Sequence, residues 1–224
     1  MDKYQLEIHQ PQNGYRYSVD SILLAEFVNL RPKAKVLELG AGCGVIALIV
    51  ARRFPACTIQ AIEIQKGLFE FLKKNIETNH LMDRVQPIWE DIANVKTIFE
   101  PNMFDHVITN PPFREPVSGR LCLNAQEALA RHEIIIDLDT ILKAAFFALK
   151  AKGRFSIIYP AERLSFLFFS MSQNRIEPKR LKCIHPSQEG QARMVLVEGV
   201  KEGGTELRIH PPLFLNQNVN DPAE

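Results

Sequence analysis

Short apolar runs alternate with amphipathic stretches along most of the chain, beginning at Lys35. This alternation is typical of βα units, in which buried parallel strands are joined by helices. The predicted strands are Lys35–Leu39, Thr58–Glu63, Val85–Trp89, Phe104–Thr109 and Arg154–Tyr159. The predicted helices are Ser21–Val28 (capped by Ser18 or Asp20), Val45–Phe54, Lys66–Asn79, Leu138–Leu149 and Glu162–Gln173.

Two further apolar runs, Lys179–His185 and Arg193–Gly199, follow the last predicted helix. The link between them is too short for a crossover between parallel strands, so they predict an antiparallel hairpin. The pattern therefore predicts an α/β fold with a mostly parallel, seven-stranded sheet. Helices should cover both faces of this sheet, and the hairpin should close it at the C-terminal end.

Length and composition indicate one domain. The 224 residues are 46% hydrophobic, which is enough for one substantial core. We expect this domain to span residues 1–215, with residues 1–33 forming an N-terminal flap and helix and residues 216–224 a flexible tail. The chain shows neither a leader-like start nor a long apolar run, so we expect a soluble, cytoplasmic protein without membrane contact.

Charge and cysteine content narrow the candidate chemistry. The net charge is +1, so contact with nucleic acid would depend on local basic patches. The four cysteines form no C-x-x-C pair, which argues against a zinc site or a disulfide framework. We therefore expect no metal and a reducing environment.

A glycine turn follows the first predicted strand. Gly40, Gly42 and Gly44 let the backbone turn tightly and let a ligand approach closely, although their spacing is not that of a dinucleotide-binding loop. Glu38 lies just before the turn, where its charge would repel a pyrophosphate but suit an ammonium and a sulfonium group. S-adenosylmethionine carries both of these groups.

Two more acidic residues lie at the ends of the next two predicted strands, with Glu63 closing the second strand and Asp91 following the third. Glu63 lies 23 positions after Gly40, near the offset at which an acidic residue binds ribose hydroxyls in dinucleotide-binding folds. Asp91 follows the third strand, where it could accept a hydrogen bond from an adenine amino group. Each carboxylate alone is typical of a solvated loop, but three at neighbouring strand ends beside one glycine turn predict a site for a nucleoside-type ligand.

The segment Asn110-Pro111-Pro112-Phe113 follows the fourth predicted strand. Successive prolines stiffen the backbone, so that the Asn110 side-chain oxygen and the Pro111 carbonyl could both accept hydrogen bonds from one planar amino group. Phe113 could stack on a flat ring. The segment therefore predicts a site for the exocyclic amine of a base, and the alternative is a simple turn that ends the strand.

These motifs make the chain resemble the class I S-adenosylmethionine-dependent methyltransferases with an Asn-Pro-Pro-aromatic motif. The resemblance covers Tyr15 to Leu213 and is greatest to the bacterial tRNA adenine-N6 methyltransferases that act beside the anticodon of a valine tRNA. It implies a Rossmann-like fold, S-adenosylmethionine as cofactor, tRNA as substrate and a flap over the cofactor's methionine end. The implied catalytic residues are Asn110, Pro111, Pro112 and Phe113. The implied cofactor contacts are Tyr17, Ser18, Asp20, Glu38, Gly40, Gly42, Gly44, Glu63, Asp91 and Asn110.

Several cations are candidates for RNA contacts around the cleft. They are Arg114, Arg120, Arg131, Lys179, Arg180, Lys182 and Arg193. Cys43 lies within the glycine turn, but no neighbouring histidine or lysine in the sequence would activate it as a nucleophile.

Three alternative functions remain open from the sequence. Phe113 replaces the tyrosine commoner in the adenine-N6 group, and phenylalanine also occurs in similar enzymes that methylate guanine N2 in ribosomal RNA. A protein glutamine amide offers the same two N–H donors, although protein-glutamine methyltransferases of this type carry a separate N-terminal helical domain. A catalytically inactive module that binds the cofactor and RNA is the third alternative.

Overall fold

The computed structural model describes residues 2–11, 18–112 and 137–216. The described strands are β1 (Lys35–Leu39), β2 (Thr58–Glu63), β3 (Val85–Trp89), β4 (Phe104–Thr109), β5 (Leu149–Pro160), β6 (Ile176–His185), β7 (Met194–Lys201), β8 (Arg208–Ile209) and β9 (Leu213–Phe214). The described α-helices are α1 (Val19–Phe27), α2 (Val45–Arg53), α3 (Lys66–Thr78), α4 (Val95–Ile98), α5 (Leu138–Ala148) and α6 (Leu164–Gln173).

The strands form one sheet in the order β3-β2-β1-β4-β5-β7-β6-β8, and β9 also pairs with β6. Strands β1 to β5 are parallel to one another, whereas β7 is antiparallel to both β5 and β6. The chain proceeds outward from β1 to β3 and then returns to place β4 on the other side of β1. Such a reversal opens a crevice at the carboxyl ends of the two central strands, where open α/β sheets bind ligands.

Two apolar layers sandwich the sheet because successive strand residues point to opposite faces. Val36 packs with helices α1, α2 and α3, while the next residue, Leu37, packs with α5 and α6 on the other face. Helix α2 is buried along its whole first seven residues, since it lies between the sheet and α1. This double burial explains the nearly continuous apolar sequence of the central strands.

The predicted architecture is confirmed. Strands β1 to β4 have the predicted bounds, and β6 and β7 form the antiparallel hairpin. The structure differs at β5, which begins earlier because Leu149 already pairs with Phe104 directly after α5. It also adds β8 and β9, which are too short to show a periodic pattern and arise from pairing with the exposed edge of β6. The predicted domain limits stay a prediction, and residues 217–224 of the predicted tail lie outside the described residues.

Among the described helices, none combines the length and the apolar character that crossing a membrane would require.

Candidate active site

The register of the central strands places three predicted site residues at one level. Leu39 pairs with Ile62 on β2 and with Thr109 on β4. The residues that follow these three, Gly40, Glu63 and Asn110, therefore lie side by side at the carboxyl edge of the sheet. The Thr109 hydroxyl donates to the Leu39 carbonyl at 2.9 Å, which ties the ends of β1 and β4 together.

The glycine turn between β1 and α2 needs glycine for two different reasons. Gly44 has φ +89°, and a Cβ there would lie 2.5 Å from Leu72 Cδ1, so α3 packs directly against the turn. Gly40 has φ +71°, but a Cβ there would meet no atom within 4 Å. Its left-handed conformation favours glycine, and the open space beside it leaves the backbone accessible to a ligand.

Glu38 is buried on β1, with 1% of its surface exposed. Neither carboxylate oxygen has a hydrogen-bond partner among the described residues. Burial raises the pKa of this carboxyl well above its ordinary value of 4.5, although the nearby Ala47 backbone N–H in the first turn of α2 acts in the opposite direction. An unpaired buried carboxylate is costly, and a cationic ligand would relieve that cost.

Glu38 and Asn110 line one small cavity at the crevice between β1 and β4. The cavity is lined by Ser21, Glu38, Gly40, Ala41, Cys43, Val45, Ile46 and Asn110. Cys43 is an unsuitable nucleophile, since burial raises its pKa to about 11. The cavity therefore offers an unpaired carboxylate beside an open glycine backbone, and these groups fit the ammonium and sulfonium end of S-adenosylmethionine.

Glu63 braces the glycine turn from the end of β2. Its Oε2 accepts from the Gly42 N–H and its Oε1 from the Gln65 N–H, both at 2.8 Å. The residue is 4% exposed, and burial raises its pKa. A carboxylate oxygen has more than one lone pair, so these bonds leave acceptor capacity for ribose hydroxyls. The bracing role was not predicted from the sequence.

Asp91 and Ser18 both cap helices. Asp91 Oδ1 accepts from the Ala93 N–H at 2.9 Å and begins a short 3₁₀ helix after β3. Ser18 Oγ accepts from the Asp20 N–H at the start of α1 and also donates to Asp20 Oδ2 at 2.9 Å. The first turn of α1 still reaches the cavity through Ser21. The structure thus brings α1 to the site, while Ser18 and Asp20 satisfy each other.

Asn110 follows β4 and faces the same cavity as Glu38. Its Nδ2 donates to Ser21 Oγ at 3.1 Å, which orients the amide and leaves the side-chain oxygen to accept other hydrogen bonds. Pro111 is buried, whereas Pro112 is exposed. Asn110, the first residue of the predicted hydrogen-bond acceptor formed by Asn110 and Pro111, therefore lies at the crevice.

The methyltransferase small domain family matches residues 18–161 of this chain. The chain belongs to the methyltransferase small domain family. Since residues 18–161 include α1, the glycine turn and Asn110, the residues at the crevice all lie within the matched domain. Family membership confirms the expectation of a methyltransferase, and S-adenosylmethionine is its cofactor.

Two curated relatives extend the match beyond this domain. The chain is 29% identical to a tRNA1(Val) (adenine(37)-N6)-methyltransferase of Vibrio campbellii, covering 97% of this chain and 89% of the relative. A protein of the same name from Shewanella halifaxensis is 30% identical and matches over 87% of this chain and 81% of the relative. These matches confirm the resemblance to this group that the motifs indicate.

A solved structure agrees with the fold of this family member. A predicted O-methyltransferase from Agrobacterium tumefaciens superimposes with a TM-score of 0.72 at 20% identity. The superposition covers 90% of this chain and 89% of that protein. It supports the methyltransferase architecture of a parallel sheet with a C-terminal antiparallel hairpin.

Tyr17, Phe113, Arg114, Arg120 and Arg131 lie outside the described residues.

The described candidates for RNA contact are separated in the fold. Arg193 is exposed in the link before β7, and its carbonyl accepts from the Ala161 N–H near the carboxyl end of β5. Lys182 lies within β6, opposite Leu196, and not at the strand end. Arg180 pairs with the buried Glu198 at 3.0 Å and lies over the Phe27 ring.

Sequence reasoning missed three residues at the carboxyl edge. Ser21 orients Asn110, although it is 89 positions away in the sequence. Ile64 and Trp89 keep 38% and 55% of their surfaces exposed beside Glu63, and Trp89 Nε1 donates to the Ile64 carbonyl. Ile64 comes directly after the acidic residue that ends β2, and this sequence position was a usable signal for an exposed apolar surface at the carboxyl edge.

Replacing Glu63 with alanine is expected to weaken cofactor binding about 100-fold, since the hydrogen bond to Gly42 in the glycine turn, the bond to Gln65 after β2 and the predicted acceptor for the ribose are lost together. Titration calorimetry with S-adenosylmethionine measures this loss. Glu70→Ala, on the exposed side of α3, is the control and should bind as the parent does. If Glu63→Ala bound the cofactor with the parental affinity, Glu63 would not contribute to the cofactor site.

Proposed function

We propose that the chain transfers a methyl group from S-adenosylmethionine to the exocyclic N6 of an adenine in tRNA. The observation that carries this proposal is the shared cavity, in which an oriented Asn110 amide lies beside the unpaired Glu38 carboxylate. The first residue suits an amine acceptor and the second a cationic methyl donor. The names of the relatives support a valine tRNA and the adenine beside its anticodon.

We assign the cofactor contacts by charge and position. Glu38 would hold the ammonium and sulfonium end, Glu63 the ribose hydroxyls and Asp91 the adenine amino group. The open backbone at Gly40 admits the cofactor close to the turn. When bound, S-adenosylmethionine supplies an electrophilic methyl group.

We also assign to the N-terminal flap a place over the methionine end of the cofactor. Tyr17, Ser18 and Asp20 belong to this part of the proposal. The first turn of α1 supports it, because Ser21 in that turn lines the same cavity as Glu38.

Asn110 and Pro111 would activate the amine of the base. An amine conjugated to a purine ring is a poor nucleophile because its lone pair is delocalised. When the Asn110 side-chain oxygen and the Pro111 carbonyl each accept one N–H, the nitrogen moves toward tetrahedral geometry and its lone pair turns toward the methyl group. The proton can leave after transfer, so a strong base is not required.

The base must leave its stack to reach this edge, which is easiest in a single-stranded anticodon loop. We assign the stacking face to Phe113 and phosphate contacts to Arg193, with Arg114, Arg120, Arg131 and Lys182 as further candidates. We also propose that the reaction takes place in the cytoplasm, where the tRNA substrate would be encountered.

Nucleoside mass spectrometry tests the function. The protein and labelled S-adenosylmethionine are incubated in separate reactions with tRNA, with ribosomal RNA and with protein substrates. We expect labelled N6-methyladenosine in tRNA, with valine tRNA as the preferred acceptor, and labelling slower by about 10²-fold or more with Asn110→Ala. Labelled N2-methylguanosine in ribosomal RNA, or labelled glutamine in protein, would show that the proposed tRNA substrate is wrong. The absence of any transfer by the parental protein would favour an inactive binding module.

A further inference from the structure

The N-terminal segment, residues 2–11, is held against α3 by two asparagines one helical turn apart. Asn79 accepts from the Glu7 N–H at 3.0 Å and donates to the Glu7 carbonyl at 2.7 Å. Asn75 likewise accepts from the His9 N–H at 2.7 Å and donates to the His9 carbonyl at 2.8 Å. Each side chain thus satisfies both backbone groups of one residue, as a neighbouring β-strand would.

Asn75 makes one contact that Asn79 does not. Its Nδ2 also donates to the Cys43 carbonyl at 2.8 Å, within the glycine turn. The corresponding second bond of Asn79 goes to the Asn75 carbonyl on α3 itself. Both side chains are buried, with 0% and 3% of their surfaces exposed, so water does not replace these bonds.

The face of α3 that carries Asn75 is fitted closely to the turn. Leu72, three residues earlier, fills the space that a Cβ on Gly44 would occupy. On the far side of the turn, Gly42 is held by Glu63. The turn is therefore braced from two sides, by Glu63 on β2 and by Asn75 on α3, and Asn75 also holds the N-terminal segment.

We propose that Asn75 is a positioning residue that couples docking of the N-terminal segment to cofactor binding at the glycine turn. This inference depends on the cofactor site described above. One amide group donates both to His9 and to Cys43, so a shift of either backbone disturbs the bond to the other. Only residues 12–17 separate the docked segment from Ser18 at the start of α1. Coupling of this kind is reciprocal, so the cofactor should stabilise the docked segment as much as docking strengthens cofactor binding.

Matched substitutions separate this role from general stability. Asn75→Asp and Asn79→Asp each keep the size of the side chain and an acceptor for the backbone N–H. Each loses two donated hydrogen bonds, but only Asn75→Asp loses the bond to the glycine turn. The probe is S-adenosylhomocysteine, the demethylated product. Its affinity is measured by calorimetry, and exchange of the Glu7 and His9 amide protons is measured by NMR with and without it.

We expect saturating S-adenosylhomocysteine to slow exchange at His9 by about 10-fold in the parental protein. Asn75→Asp should weaken binding by at least about 10-fold and abolish this protection, consistent with the loss of a buried hydrogen bond. It should raise the KM for S-adenosylmethionine while leaving kcat at saturating cofactor within about 3-fold of the parental value. Asn79→Asp should bind within about 3-fold of the parental affinity and keep the protection at His9.

The coupling is overturned if the two variants lose the same affinity, or if Asn75→Asp binds as the parental protein does. It is also overturned if the parental protein binds the probe without any change in exchange at His9, a measurement that does not depend on whether either variant folds. Failure of the parental protein to bind the probe would contradict the proposed cofactor site as well, so the two failures are distinguishable.

Discussion

Replacing Asn110 with alanine is expected to lower kcat by about 10²-fold or more while leaving the affinity for S-adenosylmethionine within a few-fold. The reason is that its side-chain oxygen would contact the amine of the base most strongly as the lone pair turns toward the methyl group, a contact realised in the transition state. Single-turnover kinetics with saturating cofactor and tRNA measure the transfer step directly.

Two further substitutions control for the role of Asn110. Asn110→Asp keeps an acceptor oxygen and can accept a hydrogen bond from the Ser21 hydroxyl, so partial activity should remain. Ser21→Ala removes only the bond that orients the amide and should lower kcat by about 10-fold or less. Transfer by Asn110→Ala at the parental rate would show that Asn110-Pro111-Pro112 is only a turn that ends β4.

Replacing Glu38 with glutamine is expected to weaken S-adenosylmethionine binding by about 100-fold, equivalent to about 2.8 kcal/mol. The same substitution should raise the melting temperature of the protein without cofactor. The two effects have one cause, because Glu38 is a buried carboxylate whose oxygens have no partner among the described residues. The cofactor compensates its charge, and glutamine removes both the attraction and the cost.

The stabilisation by Glu38→Gln should depend on pH in a defined direction. Burial raises the pKa of Glu38 above 4.5 in the folded protein. Below about pH 4.5 both the folded and the unfolded states are protonated at this residue, so the carboxyl imposes no ionisation cost. As the pH rises from there to the folded-state pKa, the unfolded state releases the proton first and the folded parental protein loses stability. The difference in melting temperature between variant and parent should therefore increase with pH across this window.

Glu198 offers a matched control for this prediction. It is also buried, at 2% exposed, but it pairs with Arg154 at 3.3 Å and with Arg180 at 3.0 Å. Glu198→Gln should therefore destabilise the protein, since it leaves two guanidinium groups without their charged partner. Calorimetric scans over a pH series compare the two variants. A lower melting temperature for Glu38→Gln at neutral pH would mean that the carboxylate is already compensated in the free protein.

Most of the fold could be predicted from the local pattern of apolar and polar residues. Strands buried on both faces produce short, largely apolar runs, so the bounds of β1, β2 and β4 could be read directly. The short link between β6 and β7 likewise required an antiparallel hairpin. Strands β8 and β9 could not be predicted because two residues show no period, and their pairing depends on the position of the β6 edge.

The candidate site was also predictable from the sequence only in part. The sequence by itself determined the chemical groups, because a glycine turn, carboxylates at strand ends and a stiff Asn-Pro-Pro segment each depend on neighbouring residues. Only the tertiary structure decided which of these groups meet. Glu38 shares a cavity with Asn110 because β4 returns to lie beside β1. Ser21 and Asn75 contact the site across long sequence separations, through the packing of α1 and α3. Such contacts follow from the order of strands and the packing of helices, which no local pattern contains.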